Sequence, residues 1–331
     1  MTTVSGITYY LCGGTGVNIG KALKANARTP GNKNAIMIGL DASGANTAGD
    51  LFPIERIHAA GSADEMARGS GKVKATNYEK AVPFINAVLA KHKPTSFNVV
   101  VSNTAGGTGS MMAVLMARAL IKMGLPVVLC EISDFTSTKE KENSVGSLRS
   151  LANQTLPSQL NAPVIYLHNI NTAEKTRGEV NEEVVERLNL LSLFLTEANE
   201  EMDYADIANY LRYSEHSSIP PALSEVTFYD QDTCKNHKGK IPVAVASLFE
   251  SSDAVIPVFE GTSYRTTGVF AEGVPLPKGM TQLHMVLDHG EALAKLEEEM
   301  QKLDDHKAEV ATTFVKQKDV SNGADANGMI M

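Results

Sequence analysis

Through the first half of the chain, short runs that are apolar on both faces alternate with segments whose apolar residues recur every three or four positions. Ile7–Leu11, Ala35–Leu40, Phe97–Val101, Pro126–Ile132 and Ala162–His168 are too short for helices and lack the polar alternation of a half-exposed strand. Between them, Val17–Ala27, Tyr78–His92 and Met111–Met123 carry helical periodicity, with Ala81, Phe84, Ile85, Val88 and Leu89 on one face of the second. Doubly buried strands separated by helices predict an open parallel sheet covered on both sides, with ligands at the carboxyl ends of its strands.

The pattern then changes. Glu179–Glu200 reads as one long amphipathic helix with Val180, Val184, Leu188, Leu191 and Leu195 on one face. Shorter strand candidates follow at Pro242–Phe249, Val255–Glu260, Ser263–Val269 and Leu283–Leu287, so a smaller mixed domain is expected. From Glu291 to Phe314, Leu293, Leu296, Met300, Leu303, Val310 and Phe314 form a heptad-like stripe that Lys307 interrupts. Ser321–Met331 is rich in Gly, Asn and Ala and is expected to be disordered when alone. The boundaries that result are 1–178, 179–200, 201–290 and 291–331.

Composition narrows the classes. The chain has 331 residues, enough for two packed domains, and 43% hydrophobic residues, which excludes bulk disorder. A net charge of −8 argues against a nucleic-acid coat protein, and no direct nucleic-acid binding is expected. No apolar run is long enough to span a bilayer. The amino terminus has no basic segment ahead of its first strand, and three widely spaced cysteines suit a reducing compartment, so a cytoplasmic location is expected.

Two glycine-rich turns stand where a strand meets a helix: Gly13-Gly14-Thr15-Gly16-Val17-Asn18-Ile19-Gly20, and Asn103-Thr104-Ala105-Gly106-Gly107-Thr108-Gly109-Ser110. Such turns let backbone N–H groups at a helix start approach an anion, and Thr108 and Ser110 add hydroxyl donors. Two in one sheet suggest a polyphosphate gripped from both sides. No Walker A spacing exists, because no Gly-Lys pair has the earlier glycine and the following hydroxyl. A short-chain dehydrogenase reading has Gly13, Gly16, Gly20 and then Asp41 in its favour, but no tyrosine has lysine four residues on. An NAD-dependent oxidoreductase stays open as an alternative.

Ala105-Gly106-Gly107-Thr108-Gly109-Ser110 resembles the GGGTGSG signature of the tubulin/FtsZ superfamily, with Ala105 in place of its first glycine and Met111 of its last. Gly13–Gly20 is similar to the first nucleotide loop of that superfamily, and the 179–200 helix to its central core helix. Met202-Asp203-Tyr204-Ala205-Asp206-Ile207 resembles the FtsZ catalytic segment VDFADV. The GGTG-x-N opening, the short chain and the acidic carboxyl-terminal region look most like the phage tubulins of the PhuZ/TubZ type, with plasmid TubZ partitioning filaments as the alternative within the family. The fold implied is α/β and tubulin-like: a parallel-sheet GTPase domain, a long central helix, a smaller mixed-sheet carboxyl-terminal domain and a helical tail.

The resemblance implies GTP, with GDP as product, and Mg²⁺ bridging phosphate oxygens through water without direct protein ligands. Gly106, Gly107, Thr108 and Gly109, with Ala105 and Ser110, would cradle the phosphates. Gly13, Gly14, Thr15, Gly16 and Asn18 would help from the other side, and Gly61 belongs to the loop beside the γ-phosphate. Asp134 is the ribose candidate. Asn181, placed 22 residues before Asp203, would read the guanine edge, and Arg177 would stack on the base. A solvent-facing asparagine is the plainer reading of Asn181. Asp203 and Asp206 would act on the GTP of the next subunit, so that hydrolysis follows head-to-tail assembly; their plainer reading is a helix cap. In the tail, Asp319 and Asp325 would meet Arg212, Lys235, Lys238 and Lys240 of an adjacent subunit, or the region is simply a solvated helix with a frayed end. The partner implied is the chain itself, in a filament that positions phage DNA or its compartment in the host cytoplasm; a cargo adaptor is not readable.

Overall fold

A computed structural model describes residues 5–58, 78–134, 136–172, 174–195, 199–237, 241–252, 259, 261–298, 300–302 and 304–305. It divides into two units, Met1–Glu291 and Ala292–Met331.

The first unit is built on a sheet of eleven strands. Its first half contains β1 (Ile7–Cys12), β2 (Ile36–Asp41), β3 (Ile54–Arg56), β4 (Phe97–Asn103), β5 (Val127–Asp134) and β6 (Val164–Asn171). These six are all parallel, in the order β3-β2-β1-β4-β5-β6. Every residue of β1 and β5 is buried, as expected of strands covered on both faces, and the burial extends to Thr8 of β1 and to Glu131, Ser133 and Asp134 of β5. Helices α1 (Gly13–Asn26) and α2 (Pro30–Lys33) connect β1 to β2. Then come α3 (Tyr78–Lys91), α4 (Thr108–Lys122), α5 (Thr138–Gln154) and α6 (Arg177–Leu195). α3 and α5 pack beside α4, while α6 packs with α1 and α2.

The sheet continues through β7 (Asn199–Glu200), β8 (Leu223–Asp230), β9 (Ala244–Phe249), β10 (Tyr264–Phe270) and β11 (Gln282–His289), with α7 (Tyr204–Leu211) after β7. This half is mixed: β8–β11 and β9–β11 are antiparallel and β9–β10 parallel. The splice between halves is short, with Val164, Ile165 and Tyr166 of β6 parallel to Leu223, Ser224 and Glu225 of β8. One contiguous core runs from Ile7, Tyr9 and Leu11 to Met285 and Leu287.

The expected helices at 17–27, 78–92 and 111–123 and the five doubly buried strands are present, with some differences. α1 begins at Gly13, not Val17, so the first glycine turn is itself the opening of the helix. α5 and β8 were not expected, since their apolar residues are sparse. α6 is described as far as Leu195, Asn199 and Glu200 are strand rather than helix, and α6 is buried on more than one face. Val185, Asn189, Ser192 and Phe194 are enclosed along with the expected stripe. Its buried polar groups are paired: Asn189 Oδ1 accepts from Arg28 N (3.1 Å) and Asn32 Nδ2 (3.1 Å), and the Ser192 and Thr29 hydroxyls meet at 2.5 Å. The expected strand at 255–260 and the tail 321–331 lie outside the described residues.

The second unit is helical over 292–298, 300–302 and 304–305. Glu298 and Lys302 form an i,i+4 ion pair at 2.7 Å on its exposed face.

Candidate nucleotide site

The strand order reverses between β1 and β4, the place where connections leave in opposite directions and a crevice opens. Both glycine loops follow these two strands. Gly13 has φ +72°, and a Cβ there would lie 3.0 Å from Gly109 Cα. A Cβ on Gly109 would lie 2.9 Å from Cys12 O. The loops therefore touch backbone to backbone, which only glycine at both positions allows.

The helices that start here are unlike the others. α1 and α4 have no side-chain cap and no acid in the first turn. By contrast α2, α5 and α7 are capped by Thr29, Ser137 and Asp203, and α5, α6 and α7 have Glu140, Glu179 or Asp206 in the first turn. First-turn N–H groups without an internal acceptor, at the positive ends of two helix dipoles, are suited to an anion.

Two adjoining lobes form the cleft. The smaller, about 150 Å³, is lined by Gly13, Gly14 and Thr15 on one side and Gly106, Gly107, Thr108 and Gly109 on the other. The wider lobe, about 280 Å³, shares Thr15, Asn103 and Gly106 and reaches Asn18, Ala105, Asp134, Arg177 and Asn181. Most of the residues expected at a nucleotide thus face one opening. Two do not. Gly16 packs its α-carbon on the sheet, where a Cβ would meet Leu11 C and Val101 O at 2.7 Å. Ser110 turns its hydroxyl back to Gly106 O (2.7 Å) and Gly107 O (3.0 Å) and lines a different groove, between α4 and α5. Gly61 lies outside the described residues.

Four further side chains in the cleft, Cys12, Asp41, Asn103 and Asn171, are not among the expected nucleotide contacts. With Asp134 they are each the last residue of a strand, and all five line it. The signal was present in the sequence: each of these positions but Cys12 is the polar residue that ends an apolar run. Asp41 lines the smaller lobe together with both glycine loops. It accepts from Ala42 N (2.7 Å) and Asn46 Nδ2 (2.5 Å), and Arg56 stands 3.7 Å away. Burial, then Glu131 and Asp41, hold the Cys12 thiol well above its usual range, so it stays protonated and inert as a nucleophile.

At the wide end, Asp134 accepts from Thr136 N (3.0 Å), Thr136 Oγ1 (2.7 Å) and Asn171 Nδ2 (3.1 Å). Thr136 Oγ1 is also 2.7 Å from Glu140 Oε2, and its single proton serves one carboxylate at a time. Thr176 and Glu179 cap α6 reciprocally, and hydrogen bonds from the Thr176 amide and hydroxyl hold the Glu179 carboxyl below the usual range. That cap fixes the start of the helix carrying Arg177 and Asn181 on the cleft wall. Among the described residues no three His, Cys, Asp or Glu side chains converge as a metal site. An ion bound here would take most of its oxygens from phosphate and water.

The acidic pair lies elsewhere. Tyr204, between Asp203 and Asp206, packs its ring 5.2 Å from that of Phe97, the first residue of β4, whereas the glycine loop follows the last. Seven strand residues separate the two levels by about 20 Å. Asp203 Oδ1 accepts from Asp206 N and Asp206 Oδ2 from Asp203 N, both at 3.0 Å, a reciprocal capping box. Asp203 is exposed and Asp206 half-buried. Of the basic residues expected to receive the tail, the two that are described stand apart. Arg212 sits at the end of α7, 3.7 Å from Glu215. Lys235 follows β8, at the other edge of the sheet. Lys238, Lys240, Asp319 and Asp325 lie outside the described residues.

No protein-family model matches the chain. It is 26% identical over 282 residues to the phage tubulin-like protein of Pseudomonas phage PhiPA3, covering 84% of this chain and 83% of that one. It is 25% identical over 231 residues to the phage tubulin-like protein of Pseudomonas phage phiKZ, covering 68% of each. Among solved structures, the protofilament of TubZ from bacteriophage PhiKZ superposes with TM-score 0.77 at 22% identity, covering 99% of this chain and 94% of that one. The phage tubulin PhuZ bound to GDP gives 0.77 at 18% identity, covering 94% and 93%. CetZ2 from Haloferax volcanii, a GTPγS-bound protofilament, gives 0.62 at 16% identity, covering 92% and 99%. Strand order alone is shared with dinucleotide-binding folds; the second glycine loop pressed against the first, and these likenesses, set the dehydrogenase reading aside. In sequence the chain is similar to phage tubulin-like proteins, and its fold is that of the tubulin-like structures above.

Proposed function

We propose that the chain is a GTPase that assembles head to tail and completes its active site only in the filament. One observation carries this: the anion-ready cleft and the acidic pair stand at opposite edges of one sheet. α6 runs from one toward the other, and its 19 residues span about 28 Å. Within a single subunit Asp203 and Asp206 are out of reach of their own cleft. Stacking translates them to the cleft of the next copy, a heterologous contact that does not close.

In that arrangement the first-turn N–H groups of α1 and α4 hold the phosphates, and Asn181 and Arg177 meet the base. Asp134, with Asn171 and Glu140 beside it, faces the ribose. Mg²⁺, when bound, offsets phosphate charge. Asp206 and Asp203 of the neighbour orient and deprotonate the attacking water. The GDP-bound and GTPγS-bound relatives and the filament-forming ones support the reading. The likeness to phage tubulin-like proteins supports placing such a filament in an infected cell, and the role we assign it there is to position phage DNA or its compartment.

The test is GTP turnover against protein concentration, alongside Asp206→Asn. An amide still accepts from the Asp203 amide, so the cap persists while the carboxylate is lost. We expect a concentration threshold in the parent, and filaments in the variant that turn over GTP at least about a hundredfold more slowly. Turnover per subunit that does not depend on concentration rules out the split site.

A further inference from the structure

Below the second glycine loop lies a connected set of buried polar groups, and those that converge on Thr104 do not line the cleft. Thr104 is fully enclosed. Its hydroxyl is 3.2 Å from Ile132 O, 3.0 Å from Ser133 Oγ and 3.0 Å from Ser144 Oγ. Ser133 Oγ is in turn 2.8 Å from His168 Nε2. A hydroxyl has one proton and two lone pairs, so Thr104 donates to one of these three oxygens at a time while the other two stay in contact with it.

The backbone of Thr104 is held as firmly as its side chain. Its amide donates to Ile132 O (2.9 Å), and its carbonyl accepts from Ser147 Oγ (2.7 Å). The next residue is fixed on both sides, Ala105 N by Asn103 Oδ1 (2.7 Å) and Ala105 O by Asn143 Nδ2 (3.0 Å). We infer that Thr104 is a positioning residue for phosphate binding: the hydroxyls of Ser133, Ser144 and Ser147 and the carbonyl of Ile132 hold it, and it sets where the 107–109 amides point. The inference rests on the cleft being a nucleotide site. Its physical content is preorganisation, since donors already aimed need no rearrangement when the anion arrives.

Full-length protein titrated with mant-GDP and Mg²⁺ tests it. Thr104→Val keeps the shape and removes the hydroxyl, and we expect about tenfold weaker binding, one net hydrogen bond of aim. Thr104→Ser restores the hydroxyl and should bind within about twofold of the parent. Thr8→Val is the control, because it removes a buried hydroxyl contact (Thr8 to Thr95, 2.9 Å) at the far end of β1 and should leave affinity unchanged. Equal affinity in Thr104→Val and the parent, or an equal loss in Thr8→Val, overturns the role of Thr104. A parent without affinity for mant-GDP overturns the nucleotide reading itself, a separate outcome.

Discussion

At the scale of single residues, what distinguishes this site is what is missing from it. Gly13 and Gly109 lack the Cβ atoms that would hold the two loops apart, and the first turns of α1 and α4 lack the carboxylates that would neutralise them. The opposite case is His284, a titratable group enclosed in the second half of the sheet. Its Nδ1 meets Ser247 Oγ at 2.9 Å, its Nε2 has no partner, and Phe249 and Phe259 pack edgewise against the ring. Burial, and then Arg265, push its pKa down to about 4. Between pH 6.5 and 4 the unfolded chain therefore binds a proton that the native state refuses, so stability falls as pH drops through that window. The effect is at most about 3 kcal/mol. Urea unfolding at several pH values should show His284→Asn, which keeps an amide near Ser247, with a shallower loss than the parent over that range.

Among the elements, α6 both forms the cleft wall and joins the two halves of the sheet. Arg187 on this helix is largely buried. It donates to His168 O and Asn169 Oδ1 (2.9 Å) of β6 and to Val226 O (3.1 Å) of β8. Burial lowers its pKa, a measure of what enclosing the cation costs. Arg187→Met removes the charge but strands three acceptors beside a splice only three residue pairs long. We expect a loss of about 3 kcal/mol in chemical denaturation. Arg187→Lys should recover less than half, because one ammonium cannot span the three directions of the guanidinium fork. The elements that sequence periodicity did not reveal are explained at this scale too. α5 presents Ser144 and Ser147 to the glycine loop, so its inner face has few apolar residues; its Ser137-x-x-Glu140 capping box was the legible signal. β8 is only half-buried along much of its length, so Ser224, Glu225 and Thr227 blur its alternation.

For the whole molecule, a catalyst divided between two edges has a consequence that a self-contained one does not. A subunit with a damaged cleft still carries intact carboxylates, and an Asp206→Asn subunit still carries an intact cleft. Gly109→Ala damages the cleft by forcing a methyl to 2.9 Å from Cys12 O. Mixing the two inactive proteins should restore GTP turnover above the sum of the separate rates, since one subunit's acids then face the other's nucleotide. A mixture no more active than its parts would mean that each subunit works alone. The 201–207 segment announced the acidic pair, but that Asp203 and Asp206 stand about 20 Å from their own glycine loops emerged only from the packing of Tyr204 on Phe97.

The sequence by itself determined the doubly buried strands, the two glycine turns and the long helix, because period, chain-reversing glycines and apolar runs are local properties. It also contained Asn181, Arg177, Asp134 and most of the phosphate-loop residues at recognisable spacings. Tertiary structure decided which side chains meet. The parallel order β2-β1-β4-β5-β6 brings Asp41, Asn103, Asp134 and Asn171 to one rim, although 130 positions separate the first from the last. It also turned Gly16 and Ser110 away from the cleft and left Arg212 and Lys235 at different edges. Convergence of this kind depends on long-range strand pairing, and no short window of sequence encodes it.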